Sequence, residues 1–470
     1  MTFAAVPHSH VDGHAFMDLH GHDPEGLVVM GRRSMLKAGL AGMAGLSLPG
    51  LLAAKDAATG PGQTPLRQKS VILIWMTGGP SHIDTWDVKP NAPTEIRGPF
   101  GVIPTALPGI QFCEFLPKQA AMMDRMTVIR SVDCRHSNHE PNMVMQSANL
   151  AAEPRINREG DKFPALASII ARQRATQLKQ LPPYVVLNMK SRSHVAWGGY
   201  LGRSYDPFLG NDVGRLFELP SGLTTDRLES RRLLTTDLDR LRRDLDLSGS
   251  MDSTDRFTRQ AIDLVTGPAA RRAFDVSQES DSVQAKYGKH EWARQAMLAR
   301  RLVEAGVSFV TIDLSNHGAS GTWDTHGDNI PPYGGIWNGL RPLLPVFDHL
   351  ITTLVTDLGE RGLLDDVLVL AMGEFGRTPQ IGTQGSSDGR NHWPIVMSMT
   401  VAGGGMRHGQ IIGATERDGG QIQERPVTPG DLAATIFQHM GVPRDVTYLD
   451  NRGRPRFVIE SGQPIAELIG

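Results

Sequence analysis

Six short apolar runs rich in Val, Ile and Leu recur along the chain, and they constrain its fold more than any other feature. They cover residues 70–77, 126–132, 184–189, 307–314, 366–373 and 395–403. Most are continuously apolar rather than alternating, which is typical of parallel strands buried on both faces of a sheet. Helical patterns lie between them, including residues 291–306 and 343–362, which both end on Gly. We therefore expect an α/β fold, with helices covering both faces of the sheet.

The chain of 470 residues is long enough for one elaborate α/β domain. Residues 55–69 are rich in Ala, Gly, Pro and Thr and predict a linker, so the fold should begin at Ser70. The polar, strongly helical stretch from about residue 223 to 295 predicts an insertion within the domain of residues 70–470. Near the end of the chain, Thr428 is placed to cap a helix with Leu432, Ile436 and Met440 on its apolar face.

The first 54 residues have the layout of an export signal. Arg32 and Arg33 precede Ser-Met-Leu-Lys, and a Gly- and Ala-rich apolar run follows from Ala38 to Ala54. This resembles a twin-arginine signal, which predicts passage through the twin-arginine export machinery and a periplasmic or extracellular location. The apolar run is too short and too rich in glycine to favour a membrane span, so we expect no stable span in the mature chain. That route carries folded proteins, which suits a cofactor inserted before export.

The charge balance argues against a nucleic-acid partner, and the cysteine count argues against a fold that depends on disulfides. Lys plus Arg number 48 and Asp plus Glu number 50, so the formal net charge is -2. This balance offers no electrostatic attraction for nucleic acid, and we predict no nucleic-acid partner. The two cysteines, Cys113 and Cys134, are too few to be the main staple of the fold. They could form one disulfide or remain two buried thiols.

Ionisable side chains follow most of the predicted strands. The loops concerned are Gly78–Asp87, 133–142, 315–329, 373–379 and 388–394, and they carry His, Asp, Glu and Arg. Ligands of open α/β sheets bind beyond the carboxyl ends of the strands, where such loops converge. Imidazole and carboxylate groups are ligands of divalent cations, and the Asp324–His326 spacing lets two side chains of one turn reach one ion. The sequence therefore predicts a metal site that neutralises these carboxylates.

Two arginines lie in the same loops. Arg377 and Arg390 could hold a tetrahedral oxyanion through bidentate hydrogen bonds, as recognition of phosphate or sulfate requires. The alternative is ordinary salt bridging of these arginines to Glu374 and Asp388.

These motifs together resemble a known family. GGPSHIDTWD, SNHEPN, WDTHGDN, GEFGRTP, GRNHWP and the closing PVTPGDLAATIFQHMGVP are similar to the domain-of-unknown-function family 1501, from Ser70 to the C-terminus. That family is related to the alkaline phosphatase and sulfatase superfamily. The resemblance implies a three-layer α/β/α sandwich with a mostly parallel central sheet. It also implies one or two divalent metal ions, such as Zn, Mn, Mg or Ca, at the carboxyl edge of the sheet.

The resemblance assigns roles to individual positions. By position, the metal ligands are Asp84, Asp324, His326, Glu374 and His392. The pattern departs at Phe375, which follows Glu374 where the superfamily often has an Asp-His pair, so one nitrogen ligand is missing. Cys134 lacks the Pro and Arg of the sulfatase formylglycine context. Ser137, activated by a metal, or a water molecule are the remaining nucleophiles.

Two functions follow as expectations. The first is an exported metal-dependent hydrolase of phosphate or sulfate esters, acting on a small-molecule or polysaccharide ester. In this hypothesis His139 is a ligand or general acid, and Arg377 clamps the oxyanion. The second is an exported, non-catalytic binding protein that keeps the superfamily fold and a structural metal.

Overall fold

The computed structural model describes residues 68–139, 143–174, 181–189, 195–210, 267–315, 322–330 and 333–469. The chain divides into two compact units, residues 1–67 and 68–470, and the described residues all belong to the second unit. The predicted export signal, most of the linker, and residues 223–266 of the predicted insertion lie outside the described residues.

The strands of the described chain include all six that the apolar runs predict. Their bounds are β1 Ser70–Trp75, β2 Val102–Pro104, β3 Gln111–Cys113, β4 Met126–Asp133, β5 Tyr184–Leu187, β6 Phe208–Leu209, β7 Phe309–Asp313, β8 Val367–Met372, β9 Gly376–Arg377, β10 His392–Trp393, β11 Val396–Gly403, β12 Gln410–Ile412, β13 Ala414–Thr415, β14 Ile422–Glu424, β15 Thr447–Leu449 and β16 Pro455–Phe457. The six predicted runs correspond to β1, β4, β5, β7, β8 and β11.

Eight of these strands form one central sheet in the order β12-β4-β11-β8-β1-β7-β5-β6. All neighbouring pairs are parallel except those that involve β11, which runs antiparallel to both β4 and β8. The continuous apolar pattern of β11 reports burial on both faces and not strand direction, so its reversal was not predictable from composition. The expectation of a mostly parallel sheet is confirmed.

Helices cover both faces of this sheet. In the described chain they are α1 Thr94–Arg97, α2 Pro117–Ala121, α3 Val144–Ser147, α4 Leu166–Arg174, α5 Pro268–Phe274, α6 Asp281–Tyr287, α7 Glu291–Glu304, α8 Arg341–Glu360, α9 Pro429–Met440 and α10 Ala466–Ile469, with a π-helical segment at Gly335–Leu340. Thr428 caps α9: its side chain accepts the Asp431 N–H, and the Asp431 carboxylate accepts the Thr428 N–H. None of the described helices combines the length and the apolar character that crossing a bilayer requires.

Two hydrophobic cores lie on opposite faces of the sheet. Alternate residues of β1 divide between them: Ile72 and Ile74 pack with residues of α7 and α8, whereas Val71 and Leu73 pack with residues of α4 and α9. This alternation is the period of a strand buried on both sides. The three-layer α/β/α sandwich is therefore confirmed. The predicted end of the insertion, at about residue 295, falls inside α7, which belongs to one of the helical layers.

The two cysteines remain separate thiols. Cys113 belongs to the core that contains Ile72, and Cys134 to the core that contains Val71, so the sheet lies between them. Burial raises the pKa of the Cys113 thiol to about 12, and burial also raises the pKa of Cys134. Of the two alternatives for this pair, the structure contains the buried thiols.

Candidate metal centre

The topology of the sheet brings four loops to one edge. His139 follows β4, Asp324 follows β7, and Glu374 follows β8, all at the carboxyl ends of parallel strands. His392 comes just before β11, and because β11 is reversed, its amino end lies at this same edge. The short strands β9 and β10 pair so that Arg377 lies opposite His392. The single antiparallel strand therefore allows the last loop to join the others.

Three of these side chains converge on one point. The ligand atoms of His139, Asp324 and His392 all lie within 4.8 Å of one another. The two imidazole Nε2 atoms are 2.9 Å apart, and His139 Nε2 lies 3.2 Å from Asp324 Oδ2. His326 adds a third imidazole, with its Nε2 3.0 Å from Asp324 Oδ1. The expectation that Asp324, His326 and His392 lie together agrees with this geometry.

Hydrogen bonds from Nδ1 fix the orientation of two imidazoles, those of His139 and His326. His139 Nδ1 donates to Glu374 Oε1 at 2.8 Å, and the same oxygen accepts the Gly78 N–H at 2.9 Å. His326 Nδ1 donates to the amide oxygen of Gln384 at 2.6 Å. An imidazole that donates from Nδ1 presents an Nε2 lone pair when it is neutral, which is the tautomer that metal sites use. The Nε2 atoms of both imidazoles lie within 3.2 Å of an Asp324 carboxylate oxygen.

The surroundings of the Asp324 carboxylate indicate whether a cation fits this site. It is buried, and neither of its oxygens has a partner in hydrogen-bond geometry among the described residues. Three imidazole Nε2 atoms and the Arg377 guanidinium nevertheless lie within ion-pair distance of it. A buried carboxylate surrounded by nitrogen atoms, none of them in hydrogen-bond geometry with it, is only partly compensated by the Arg377 charge and would gain from a bound cation. Imidazole and carboxylate together are the ligand set of zinc and similar divalent ions, so the residues fit such an ion.

The electrostatics set the protonation states. Burial alone would raise the pKa of Asp324, but the Arg377 guanidinium and the neighbouring imidazoles hold this pKa well below its usual range. Burial lowers the pKa of His392 to about 4, with the Arg377 charge acting in the same direction. Burial would also lower the pKa of His139, but Asp324 and Glu374 outweigh it and raise this pKa. An ionised carboxylate and a neutral His392 are the forms that bind metal.

Arg377 does not face open space. It is fully buried, its Nε donates to the Gly79 carbonyl at 2.9 Å, and its Nη1 donates to the Arg390 carbonyl at 3.2 Å. Its Nη2 pairs with Asp324 and with the Gly78 carbonyl. These acceptors are all protein groups. The placement therefore makes Arg377 a positioning group for Asp324 rather than the oxyanion clamp that the sequence suggests.

Asp84 lies outside the group of converging side chains. Arg390 grips it in a bidentate pair, with Nε 2.7 Å from Oδ2 and Nη2 3.0 Å from Oδ1, and both side chains are fully buried. The Ser81 hydroxyl donates to Asp84 as well, at 2.5 Å. The charge of Asp84 is thus neutralised by protein, and the structure gives Arg390 this partner instead of Asp388. His139, and not Asp84, lies with the atoms that could hold a metal.

Glu374 and Ser137 have less direct positions than the sequence suggests. Glu374 reaches the far nitrogen of His139, so its Oε1 orients a ligand instead of joining the converging atoms. Ser137 lies two residues before His139, and its buried hydroxyl has no hydrogen-bond partner in the described part of the chain. Its role as nucleophile stays a prediction.

Sequence reasoning missed two residues that shape the site. Gln384 fixes His326, and Asn391 accepts the backbone N–H of His392 through its side-chain oxygen at 2.7 Å. Neither is a usual metal-ligand type. The available signal was the glycine-rich loop around Gln384, where Gly382 and Gly385 both have φ of 82°, a conformation that favours glycine.

Comparisons with solved structures find only distant likenesses. A PsFucS1 sulfatase from Pseudoalteromonas sp. is 12% identical, covering 81% of this chain and 69% of its own, with a TM-score of 0.37. The C-terminal periplasmic domain of EcEptC from Escherichia coli, in complex with Zn, is 9% identical, covering 72% and 73%, with a TM-score of 0.31. The phosphonate monoester hydrolase SpPMH from Silicibacter pomeroyi is 11% identical, covering 85% and 78%, with a TM-score of 0.32. TM-scores this low assign no activity.

The family comparison is decisive where the structural ones are not. No curated protein matches the sequence. Residues 68–469 match a family described as "Protein of unknown function (DUF1501)", and this range includes every loop of the candidate metal centre. The chain therefore belongs to the DUF1501 family.

Proposed function

We propose that this protein is an exported hydrolase of phosphate or sulfate esters that uses a divalent metal held by His139, Asp324 and His392, with His326 as a further ligand. The observation that carries the proposal is the convergence of these ligand atoms around a buried carboxylate without directed donors. The site is also open on one side, because the His392 side chain is 30% exposed whereas that of Asp324 is 1% exposed. A purely structural metal is normally closed off by protein ligands, while a catalytic one keeps an accessible position.

In this proposal, several side chains position the metal ligands. A bound divalent metal supplies a Lewis acid that polarises the ester oxygen and stabilises developing charge. Arg377 holds the Asp324 carboxylate, and Glu374 and Gln384 hold the Nδ1 protons of His139 and His326. These contacts fix the ligand atoms in advance, which lowers the cost of organising the site during reaction. Ser137 is the side-chain nucleophile that this proposal favours.

The proposed location rests on the sequence. The Arg32–Arg33 motif with the apolar run after it supports export through the twin-arginine route. Loading of the metal before export would suit a centre whose ligands come from loops far apart in the chain. Replacing Arg32 and Arg33 by Lys should keep the protein in the cytoplasm, as measured by cell fractionation.

The test of the enzymatic proposal combines metal content with turnover. Purified protein should contain a divalent metal by elemental analysis, and it should hydrolyse nitrophenyl phosphate or nitrophenyl sulfate when loaded with Zn, Mn, Mg or Ca. Treatment with a chelator should abolish the activity, and one of these metals should restore it. Absence of any divalent metal, before and after attempted reloading, contradicts the proposal.

A second candidate function is favoured by one observation. Both arginines predicted to clamp an oxyanion, Arg377 and Arg390, are fully buried and engaged by protein acceptors. This arrangement suits a binding protein that retains a structural metal but performs no hydrolysis. Stoichiometric metal without turnover of any ester in the assay above would support this second candidate.

A further inference from the structure

Two tryptophan side chains of the described chain are exposed, and one of them contacts the loop that carries His392. All seven tryptophans belong to the described residues, and only Trp337, at 42%, and Trp197, at 40%, appear among the exposed large hydrophobic side chains. Tryptophan has the largest apolar surface of any side chain, so its exposure loses much of the stabilisation that burial would provide. The remaining tryptophans are buried or half-buried.

The indole of Trp337 is held in place although it is exposed. The Phe100 ring packs beside it, with centroids 6.1 Å apart and planes inclined by 40°. The Arg341 guanidinium carbon lies 4.5 Å from the indole centroid, in a cation–π contact. Trp337 also lies in the π-helical segment Gly335–Leu340, a rare conformation that is frequent at functional sites. A rigid exposed ring binds a ligand with little loss of conformational entropy.

Both sides of this aromatic platform are attached to the loop that leads to the metal centre. Next to Trp337, the Ile336 N–H donates to the Asp388 carbonyl at 2.9 Å. On the Phe100 side, the carbonyl of Ile96 accepts from Arg390 Nη2 at 2.7 Å. Asp388 and Arg390 precede the metal-ligating His392 by four and two residues. The platform is therefore joined to the loop that carries His392, and a ligand that extends along this loop would contact both.

The chemistry of the platform indicates what it binds. Arg341 is exposed and forms no ion pair with another described residue, so its remaining donors are available to an anion. The flat indole offers a surface on which the C–H face of a sugar ring packs. The combination of a flat apolar ring and an unpaired guanidinium is complementary to a sugar that carries a sulfate or phosphate group.

We infer that Trp337, with Phe100 and Arg341, forms a subsite for an anionic carbohydrate. This inference rests on the proposed function, because it identifies the ester substrate of the same site as a sulfated or phosphorylated oligosaccharide. One sugar unit packs on the Trp337 indole, and Arg341 donates hydrogen bonds to an anionic substituent on that unit or its neighbour. The ester at the metal centre would belong to an adjacent unit.

The experiment separates the subsite from the reaction centre. Binding of a sulfated hexasaccharide, a phosphorylated hexasaccharide and the neutral parent hexasaccharide is measured by calorimetry for the wild-type protein and three variants. Trp337→Ala should weaken binding of the charged hexasaccharides by about tenfold or more. Arg341→Gln should weaken the charged hexasaccharides and leave the neutral one unchanged. Trp197→Ala is the matched control, because it removes an equally exposed indole that is attached beside α4 instead.

The outcomes distinguish failure of the subsite from failure of the proposed function. Trp197→Ala should hydrolyse nitrophenyl phosphate or sulfate, which lack a sugar, within about twofold of wild type, and the metal content of Trp337→Ala should equal that of wild type. Loss of hexasaccharide binding in this variant supports the subsite even if no nitrophenyl ester is hydrolysed by any variant. The arm that binds more tightly identifies sulfate or phosphate as the natural substituent. The inference is overturned if neither charged hexasaccharide binds the wild type, or if Trp337→Ala and Trp197→Ala have equal effects.

Discussion

Asp84 and Asp324 are two buried aspartates that follow strands of the same sheet, and the sequence alone gives them the same role. The structure gives them opposite surroundings. Asp84 receives a bidentate pair from Arg390 and a hydrogen bond from Ser81, so its charge is met within the protein. Asp324 has no partner in hydrogen-bond geometry among the described residues, although imidazoles and Arg377 lie close to it. The closed pair fits a structural role, and the open one fits a ligand.

The hydrogen bonding of a buried carboxylate indicates whether it is a candidate metal ligand. A buried ion pair with complete hydrogen bonding is already neutral, and a cation would have to displace its arginine at a large desolvation cost. A buried carboxylate whose neighbours are within ion-pair distance, but not in hydrogen-bond geometry, gains from an added ion. The geometry of the partners, more than the burial of the carboxylate, separates the two cases.

The largest effect on stability is expected from opening the closed pair. Asp84→Asn leaves the fully buried Arg390 guanidinium without its counter-charge, so the free energy of unfolding should fall by about 3–5 kcal/mol. Chemical denaturation of the metal-loaded protein measures this. The folded fraction should keep its metal content. A proportional loss of metal would place Asp84 in the metal centre and end the comparison.

The converse change, at Asp324, should remove the metal. Asp324→Asn takes away the carboxylate that the ligand atoms surround, so the affinity for Zn should fall by more than about 100-fold. A competition titration with a chromophoric chelator measures the affinity. The change also leaves the fully buried Arg377 without its counter-charge, so unfolding of the metal-free variant is compared with that of the metal-free parent protein to separate the two effects. Unchanged affinity would contradict the proposed centre.

A smaller effect is expected from the residue that orients His326. Gln384→Ala removes the acceptor of the His326 Nδ1 proton, so the preferred tautomer is lost and metal affinity should fall by about tenfold. Gln380→Ala is the matched control in the same loop, because its side chain is exposed. Equal affinities of the two variants would show that His326 needs no orienting partner.

The smallest effect concerns pH and the open centre. The pKa of His392 is lowered to about 4 in the folded protein, so the unfolded chain binds a proton more readily. Its contribution to stability is therefore present above the unfolded pKa of about 6.5 and is lost as pH falls toward 4. In chelator-treated protein, the free energy of unfolding should decrease over that interval by about 1 kcal/mol more than in His392→Gln. Parallel pH profiles of the two proteins would contradict this.

The sheet was predictable because its strands are long, apolar and buried on both faces. The runs at β1, β4 and β8 leave no other arrangement that buries them. The direction of β11 was not predictable, since an apolar strand in the middle of a sheet has the same composition in either direction. That direction decides which end of β11 meets the metal centre, and thus why His392 can be a ligand.

The candidate site was predictable in part. Asp324, His326 and His392 have the residue types and loop positions of ligands, and the structure brings them together with His139. The sequence could not distinguish Asp84 from Asp324, because the choice depends on which arginine reaches which aspartate, and Arg390 lies 306 residues away from Asp84. The role of Gln384 was not predictable, because a side-chain amide in a glycine-rich loop can equally contact solvent or the backbone of its own turn.

The position of the two thiols on either side of the sheet determines whether they can form a disulfide. A cross-link between Cys113 and Cys134 would require the central layer to come apart, and neither sulfur is exposed to an oxidant. The cytoplasm and the space beyond the membrane differ chiefly, for a folded chain, in their redox potential. On the proposed export route, the folded domain would form no disulfide on leaving the cytoplasm, and this pair of thiols would add no covalent stabilisation outside the cell.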